Sequence, residues 1–534
     1  MNIAVDARTL SLALTGRRSV TGTADEATFV PWLQALLAGD GIEIRVLPVP
    51  NDTLGRASIA ALARGPGPQT VILSGHFDTV PTDDYVDLAP LATEPEALTV
   101  ALVARLTASG THPTALAELA DGSFLPGRGL LDMKSGVAAG IAVLRAHANN
   151  PERVGNILLL ATADEEDRSV GMRAAAVALP ALLTEWGLDV KLGINLDATI
   201  DNGDGATGRV VAFGCVGKHL LSALVVGREV HACYPWRGVN ASHLAAHLIC
   251  TIEGAPELAE GSGFQRAAPP TVLASADTKT VYNVTTPVRA WTVWNVLTQR
   301  RTADQVMAIA RRLTVEAIVS ARETAYARCA ALDEAPAPTA AWSHIEVLDY
   351  AELFRAAVAA DPSFEARFAV RATALADDNA LDLPTRARIL TELAWDASGR
   401  EGPAVVLGFA SLPYPATTFP DPGLQARLTG VAHATAARLG TTVATADYLP
   451  VIVDMPFLGH IDAGDLRHAA RQSPLWGTSI DWDLDRPTPE VPMMNVGPWG
   501  RDYHHWLERV HVGYAFTVLP ELLRDLAGAA LAVG

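Results

Sequence analysis

Side chains that bind metal ions recur along the sequence at or just beyond the ends of predicted buried strands, or in the loop that follows. In open α/β sheets, ligand sites collect at these strand ends. The candidates are, in chain order, His76 and Asp78 in GHFDTV, Asp132 in GRGLLDMKSG, Glu165 and Glu166 in TADEE, Asp197 in GINLD, and His504 in GPWGRDYHHWLE. Each position taken alone has a structural explanation, such as a helix cap or a solvated turn, whereas the ordered set indicates a shared site.

The donor types limit the chemistry. Carboxylate oxygens combined with imidazole nitrogens suit zinc, manganese or cobalt. Two such ions about 3.5–4 Å apart need a bridging carboxylate, and one further acid must stay unligated to carry protons. Two histidines and several acids meet these needs, so the sequence predicts a centre with two divalent metal ions per chain, with zinc preferred.

The elements that must position these residues alternate between strands and helices. TVILSG (70–75), NILLLAT (156–162) and KLGINLD (191–197) are nearly continuous apolar runs, typical of strands buried on both faces. Alanine-rich stretches at 135–148 and 169–184 have helical character. The alternation predicts an α/β fold, with a mixed central sheet flanked by helices.

Two other stretches near the N-terminus frame this sheet. Residues 3–40 have helical spacing, and Thr23 is placed to cap a helix. Residues 83–126 form a polar insertion containing Pro and Gly, which we expect to be a long loop that is either functional or mobile. We refer to 83–126 as the insertion.

A smaller α/β sandwich is predicted to interrupt the larger domain. KHLLSALVVG and VRAWTVWNVL read as antiparallel strands, with a helix at 241–252 between them. Another helix opens at Thr302, where Gln305 completes a capping box.

The predicted domains are a first catalytic part at 1–214, an inserted lid at 215–332 and a second catalytic part at 333–534. DEAPAPTAAW (333–342) reads as the linker back, and strands are expected to return at 404–411 and 491–497. A closing helix completes the chain.

Bulk properties exclude several classes of function. The 534 residues exceed what one hydrophobic core supports, and the formal net charge of −18 comes without a basic block. Nucleic acid and anionic membrane surfaces are therefore unlikely partners, and a small molecule is the expected ligand. No export pattern and no apolar stretch of about 18 residues is visible, which predicts a cytoplasmic protein. Four cysteines without CxxC spacing, Cys215, Cys233, Cys250 and Cys329, are expected to be small buried side chains.

GHFDTVP, GRGLLDMKSG, TADEE, NLD and the late histidine followed by an acid resemble, in this order, the metal-dependent exopeptidase and deacylase family. That family includes acetylornithine deacetylase, succinyl-diaminopimelate desuccinylase, aminoacylase and glutamate carboxypeptidase. The resemblance covers most of the chain apart from 83–126 and parts of 340–480. The chain length, with GPWGRDYHHWLERV and NVTTPVRAWTVWNVLT, resembles most closely the RocB-like arginine-utilization subgroup.

The resemblance implies a role for each metal candidate. His76 would bind one ion and His504 the other, with Asp132 bridging both. Glu166 would complete the ligand set of one ion and Asp197 that of the other. His504 is preferred to its neighbour His505 because Glu508 stands four residues after His504, a spacing frequent in the family.

The resemblance also implies the groups that would carry out catalysis. Glu165 would be the unligated general base, and Asp78 would hydrogen-bond the far nitrogen of His76. His231 in GREVHACYP would come from the lid, of the same or a partner subunit, to stabilise the oxyanion. Asn283 and Asn240 would contact substrate or serve only in turns.

The expected activity is hydrolysis of an amide bond in a small N-acyl or N-carbamoyl amino acid, with arginine-related compounds first among the candidates. An aminopeptidase or dipeptidase of the same family is the alternative within enzymes. A non-catalytic descendant that binds metal or ligand is the alternative outside them. A homodimer formed through the lid is the expected assembly.

Overall fold

The computed structural model describes residues 2–39, 41–332, 340–378, 380–485 and 489–532, which form two compact units. The first unit takes its described residues from 2–215, 417–461 and 489–532, and the second from 216–416 and 462–485. The predicted linker at 333–342 lies mostly outside the described residues.

The strands, in chain order, are β1 (Ile42–Pro48), β2 (Ala57–Ala63), β3 (Gln69–His76), β4 (Phe124–Pro126), β5 (Asn156–Thr162), β6 (Asp189–Asn195), β7 (Thr199–Ile200), β8 (Val210–Ala212), β9 (Gly214–Cys215), β10 (Gly217–Val226), β11 (Thr271–Asp277), β12 (Arg289–Thr298), β13 (Glu346–Asp349), β14 (Ala404–Phe409), β15 (Thr417–Thr418), β16 (Ala444–Ala446), β17 (Met493–Asn495), β18 (Trp499–Arg501) and β19 (Arg509–His511).

The α-helices are α1 (Ile3–Gly16), α2 (Ala24–Leu37), α3 (Pro95–Ser109), α4 (Pro113–Ala120), α5 (Ser135–Ala148), α6 (Val170–Trp186), α7 (Ala241–Ile252), α8 (Ala303–Ala331), α9 (Tyr350–Ala360), α10 (Phe364–Ala376), α11 (Leu383–Ala397), α12 (Pro422–Arg438), α13 (Ala463–Arg471) and α14 (Leu519–Leu531). None of the described helices has the length and apolar character needed to cross a bilayer.

A mixed sheet forms the centre of the first unit, as predicted. Among the described residues it runs in the order β1-β2-β5-β3-β6-β17-β8-β16, with β3 parallel to both β5 and β6. Every residue of β5 is buried, which explains its unbroken apolar sequence. Helices α1, α5 and α14 pack against one another beside this sheet, and their apolar faces share its core.

A second, four-stranded sheet in the first unit runs in the order β4-β19-β18-β7. Strands β18 and β19 pair antiparallel through Gly500 and Val510, and β19 pairs with β4. The connection between β18 and β19 spans 502–508 and carries His504. We call it the His504 loop.

The second unit is the predicted smaller α/β sandwich. Its sheet runs β11-β12-β10-β14-β13, and α7 and α8 pack against its core. The capping box at the start of α8 is present, because the Thr302 and Gln305 side chains each accept a hydrogen bond from the other's backbone N–H. Strand β11 lies at an edge of the sheet with mostly exposed side chains, and the pairing of two copies through this unit stays a prediction.

Several local expectations are wrong. Strand β14 pairs with β10, so the strand expected to return to the catalytic domain belongs instead to the second unit, which continues past the predicted boundary at 332. A parallel partner strand, β13, follows α8 and was not recognised in the sequence. The insertion is helical rather than a long loop, because α3 and α4 bury a leucine stripe.

One further local expectation is confirmed and another needs correction. Residues 3–40 form two helices, α1 and α2, and Thr23 caps the second as expected. Cys215 and Cys329 are buried as expected, whereas Cys233 and Cys250 are exposed. A lone cysteine gives little sequence signal for burial because it packs well on a surface or in a core.

A buried histidine in the second unit makes its stability depend on pH. His219 on β10 stacks on Phe409 with ring centroids 4.9 Å apart, and neither of its ring nitrogens has a hydrogen-bond partner among the described residues. Burial lowers the pKa of His219 from 6.5 to about 4. The unfolded chain therefore binds one more proton than the folded chain between these values.

We expect the free energy of unfolding to fall as the pH falls from 6.5 towards 4, by up to about 3 kcal/mol from His219. His219→Phe keeps the ring and removes the titration, so its stability should fall less over that range. Denaturant titrations at pH 7 and pH 5, followed by tryptophan fluorescence, measure the difference. Equal pH dependence in the two proteins would contradict this account.

Candidate metal centre

Three neighbouring parallel strands bring site residues to one edge of the central sheet. His76 is the last residue of β3, Glu165 lies three residues beyond β5, and Asp197 two residues beyond β6. Since β3 pairs with β5 on one side and β6 on the other, their carboxyl ends meet at this edge.

Asp132 enters the site from a tight turn before α5. Gly129 at the start of this turn has φ +72°, and a Cβ there would lie 2.3 Å from Thr79 Cγ2, so both conformation and space require glycine. At the start of α5, a Cβ on Gly136 would lie 2.2 Å from the carbonyl oxygen of Leu196, next to Asp197. This close approach brings the turn with Asp132 against the end of β6.

The Asp132 carboxylate lies between two histidines. Its Oδ1 is 3.2 Å from His76 Nε2, and its Oδ2 is 3.2 Å from His504 Nε2. His504 Nε2 also lies 3.0 Å from Glu166 Oε1. Potential ligand atoms of His76, Asp132 and Glu166 all lie within 4.8 Å of one another. One oxygen towards each imidazole is the arrangement expected of a carboxylate that bridges two cations.

Asp78 supports this cluster from below. Its carboxylate accepts hydrogen bonds from the Thr21 hydroxyl at 2.8 Å and from the backbone N–H groups of Glu165 at 3.1 Å and Glu166 at 3.3 Å. His76 Nδ1 lies 3.0 Å from the Asp78 carbonyl oxygen and 3.5 Å from its Oδ1. Nδ1 therefore carries the proton in the neutral ring, which leaves Nε2 free to bind a metal ion.

Glu165 stands beside the cluster without joining it. Its Oε2 is 3.9 Å from His76 Nε2, outside hydrogen-bond distance. Burial raises the pKa of Glu165, the charge of His76 opposes this shift, and the carboxylates of Asp454 and Asp197 add to it. A buried carboxyl group with a raised pKa is suited to accept and return a proton.

The hydrogen bonds that the structure describes for Asp197 are local rather than with the cluster around Asp132. Its Oδ1 accepts a hydrogen bond from the Ala198 N–H at 2.7 Å, and its backbone is fixed on both sides by the Asn495 side chain. Its carboxylate has no hydrogen bond or ion pair with His76, Asp132 or Glu166 among the described residues. Burial, with the charge of Asp132, nevertheless raises the pKa of Asp197 to about 8.

The ionisable groups of the cluster shift one another's pKa values. Burial raises the pKa of Glu166. Burial lowers the pKa of His504, but the Asp132 and Glu166 carboxylates outweigh this effect and raise it to about 10. Burial also opposes the ionisation of Asp132, yet hydrogen bonds from His504 and His76 hold its pKa well below the usual range. Several buried carboxylates thus oppose one another's ionisation, and divalent cations bound by the same donor set relieve this repulsion. The residues present fit a two-metal site.

The structure distinguishes the two adjacent histidines of the His504 loop. His504 has φ +60° and turns its Nε2 to Asp132 and Glu166. His505 Nδ1 instead accepts a hydrogen bond from the Leu507 N–H at 3.2 Å. Glu508, which motivated the preference for His504, does not bind it directly but is buried against Arg128.

Residues of the second unit have local contacts. His231 is exposed, and its Nδ1 accepts a hydrogen bond from the Cys233 N–H at 3.1 Å. Asn240 caps α7, because its Oδ1 accepts from Ser242 N–H at 2.9 Å. Asn283 Oδ1 accepts from the Thr285 hydroxyl at 2.7 Å within a turn. These bonds favour a structural role for both asparagines.

Two features were not found from the sequence. Asp454 in VIVDMPFLGHID is buried. Burial raises its pKa to about 7, and a hydrogen bond from the Ser169 side chain opposes part of that shift. The apolar residues around an isolated acid were the available signal.

The second missed feature is an ion cluster around Arg56. Its guanidinium pairs with Asp164 and lies 2.8 Å from Asp52 and 3.6 Å from Glu26. Asp164 directly precedes Glu165 and has φ +64°, so Arg56 holds the turn that presents the two glutamates. No spacing in the sequence links Arg56 to this turn.

Comparisons with known proteins agree with this geometry. A model of the peptidase family M20/M25/M40 matches residues 72–447. YqjN of Bacillus subtilis (strain 168) is 26% identical over 533 residues, which cover 98% of this chain and 96% of that protein. RocB of the same organism is 28% identical over 553 residues, which cover 98% of this chain and 95% of that protein.

A solved structure shows the same fold. The M20 family metallo-carboxypeptidase Sso-CP2 from Sulfolobus solfataricus is similar with a TM-score of 0.52 and 10% identity, over 99% of this chain and 100% of that chain. At that identity the likeness concerns the fold alone.

The contacts of His504 and His505 predict different effects of their removal. We expect His504→Ala to weaken the binding of one of two metal ions by more than about 100-fold, because losing a ligand exceeds the 10–100-fold effect of losing a supporting residue. His505→Ala should bind both ions as the wild type does. Elemental analysis and competition with a chromogenic chelator measure stoichiometry and affinity. Equal loss in both variants, or in neither, would contradict the placement of His504.

Proposed function

The chain belongs to the peptidase family M20/M25/M40 and is a metal-dependent hydrolase of amide bonds, and from this premise we propose that its substrates are N-acyl or N-carbamoyl amino acids related to arginine. The observation that carries the hydrolytic part is the Asp132 carboxylate between His76 and His504, with Glu165 beside it. The substrate class rests on the resemblance to RocB-like proteins and on the charge of the site.

We propose that the site holds two zinc ions, with manganese or cobalt as alternatives. His76 would serve one ion and His504 the other, and Asp132 would serve both. Glu166 and Asp197 would complete the ligand sets. When bound, such a pair lowers the pKa of a water molecule towards about 7 and polarises the substrate carbonyl.

Glu165 supplies the proton transfers in this proposal. Its carboxylate accepts a proton from the attacking water and returns it to the nitrogen that leaves when the amide bond breaks. Burial and the neighbouring carboxylates raise its pKa, which makes the protonated form accessible for the second step. The Asp78 carboxylate holds the backbone of Glu165 during both steps.

His231 is proposed as the donor that stabilises the oxyanion. Since its Nδ1 accepts the Cys233 N–H, the neutral ring carries its proton on Nε2, which has no hydrogen-bond partner among the described residues. An available N–H donor is the group that this role needs. Loss of the donor in His231→Ala should lower kcat more than it raises KM, and an unchanged kcat would argue against this role.

The buried carboxylate of Asp454 supports a cationic substrate. Its charge acts on Glu165, so it lies within electrostatic reach of the proposed base. A buried carboxylate is stabilised when a ligand provides an ammonium or guanidinium group. The side chains of arginine and ornithine carry such groups, and that of citrulline does not.

The role of Glu165 predicts a separation of catalysis from metal binding. We expect Glu165→Gln to lower kcat by about 10²–10⁴-fold, because the amide cannot carry the proton. The variant should still hold two metal ions by elemental analysis, since Glu165 is not a proposed ligand. Unchanged turnover in a fully metal-loaded variant would remove Glu165 as the base.

The substrate proposal predicts discrimination by charge. We expect kcat/KM for Nα-acetyl-arginine and Nα-carbamoyl-arginine to exceed that for the citrulline analogues by about tenfold or more, the effect of one charged hydrogen bond. Citrulline is the matched control because its ureido group is neutral and nearly the same shape. In Asp454→Asn the difference should largely disappear.

The same assay separates the alternatives. Preferred cleavage of dipeptides with a free amino group would favour the aminopeptidase or dipeptidase reading over the N-acyl proposal. Equal rates for the arginine and citrulline compounds would contradict the cationic substrate while leaving the hydrolase intact. No turnover of any panel member by the metal-loaded protein would favour a binding role.

A further inference from the structure

We infer that the helical insertion, residues 83–126, is a buttress that positions the His504 loop for metal binding, and that Glu118 on α4 is its principal positioning residue. This inference rests on the proposed metal-binding role of His504. It assigns a function to a segment that contains none of the proposed ligands.

The His504 loop has no strand and no helix of its own. It places both Asp502 and His504 in the left-handed region, at φ +54° and +60°. Non-glycine residues in this region cost about 1 kcal/mol or more each and persist where the surroundings enforce them. The His504 side chain is also 43% exposed, so little packing around the imidazole itself fixes its position.

An ion-pair clamp joins the insertion to both ends of the loop. Glu118 Oε1 lies 2.9 Å from Arg501 Nε, and Glu118 Oε2 lies 2.7 Å from a terminal nitrogen of Arg509. Arg501 ends β18 and Arg509 begins β19, so one carboxylate fixes the two strands where the loop leaves and returns. The other terminal nitrogen of Arg509 lies 2.6 Å from Asp502 and donates to the Leu507 carbonyl oxygen.

Apolar packing joins the insertion to the loop itself. Leu507 is buried in a cluster formed by the insertion, whose other fully buried leucines are Leu98, Leu102, Leu106 and Leu119. Trp506 packs on the same cluster, and its ring meets that of His112 edge to face at 5.6 Å. The chain is therefore anchored on the insertion two and three residues after His504.

A third link runs through Arg128, just beyond the insertion. Its guanidinium lies 2.6 Å from Glu508 and 2.7 Å from Asp84, and it donates to the carbonyl oxygen of Pro81. Glu508 also accepts the Gly129 N–H at 2.9 Å, in the turn that presents Asp132. The loop with one proposed ligand and the turn with the bridging ligand thus share a buried network with the start of the insertion.

These contacts are expected to hold His504 in position before a metal ion binds. A metal site gains affinity when its ligands are held in place before the ion arrives, since the ordering entropy is then not lost on binding. His76 needs no such device because it ends a central strand. His504 obtains the same fixation through Glu118, Leu507 and Arg128.

Glu118→Gln tests the clamp. It keeps the size of the side chain, removes the charge shared by Arg501 and Arg509, and replaces one of the two acceptor oxygens with an NH₂ group. We expect binding of one of the two ions to weaken by about 10-fold, with the other unchanged. The matched control is Glu96→Gln on α3, where the same change breaks an exposed pair with Arg8. Two-step titration of the metal-free protein with Co²⁺, followed by its absorption spectrum, resolves the sites.

A double-mutant cycle distinguishes positioning from general weakening. If Glu118 acts through His504, Glu118→Gln should weaken Co²⁺ binding in the wild type and leave it unchanged in a His504→Ala background. An equal effect in both backgrounds, or the same effect from Glu96→Gln, would overturn the inference. So would unchanged binding of both ions in Glu118→Gln.

The failure of this inference and of the proposed function have different signatures. A wild-type protein that binds no Co²⁺ at all would contradict the metal centre itself. Two ions bound equally well by the wild type and Glu118→Gln would contradict the buttress alone. If Glu118→Gln fails to fold, judged by circular dichroism, Leu507→Val provides the second variant, since it trims the apolar anchor by one methylene group.

Discussion

The structure depends on burying several carboxylates in one part of the first unit. Asp132, Glu165, Glu166 and Asp197 are each largely removed from water, and their negative charges oppose one another's ionisation. The same donors arranged around Asp132 accept divalent ions, so the constraint that makes the site costly also makes it selective for metal.

A polar scaffold beneath the site makes this arrangement stable. The Asp78 carboxylate accepts the N–H groups of Glu165 and Glu166, which fixes their backbone directly under the cluster. The Arg56 guanidinium pairs with Asp164, the residue before Glu165, and also with Asp52. The buried carboxylates therefore fall into two groups. Arg56 supplies the positive charge for Asp164 and Asp52, and metal ions are expected to supply it for the proposed ligands.

The features that could be predicted from the sequence are those that depend on a single segment of the chain. His76, Glu165, Glu166 and Asp197 stand at or just beyond the ends of nearly continuous apolar runs, which are typical of buried strands. Parallel pairing of those strands brings the ends together. The domain boundary is different, because β14 has the apolar sequence of any central strand and only its partner, β10, assigns it to the second unit. Arg56 and Asp454 were missed for the same reason, since each acts on residues in a distant segment of the sequence.

The two proposed histidine ligands show two ways to fix an imidazole. His76 inherits its position from a central strand, so register and sheet packing determine it. His504 stands on an irregular loop, and the helices that hold that loop are separated from it by almost 400 residues of sequence. The sheet that holds His76 belongs to the main core of the first unit, whereas the insertion packs through a separate hydrophobic cluster. Substitutions in the insertion are therefore expected to change metal affinity with less effect on folding than substitutions in the sheet.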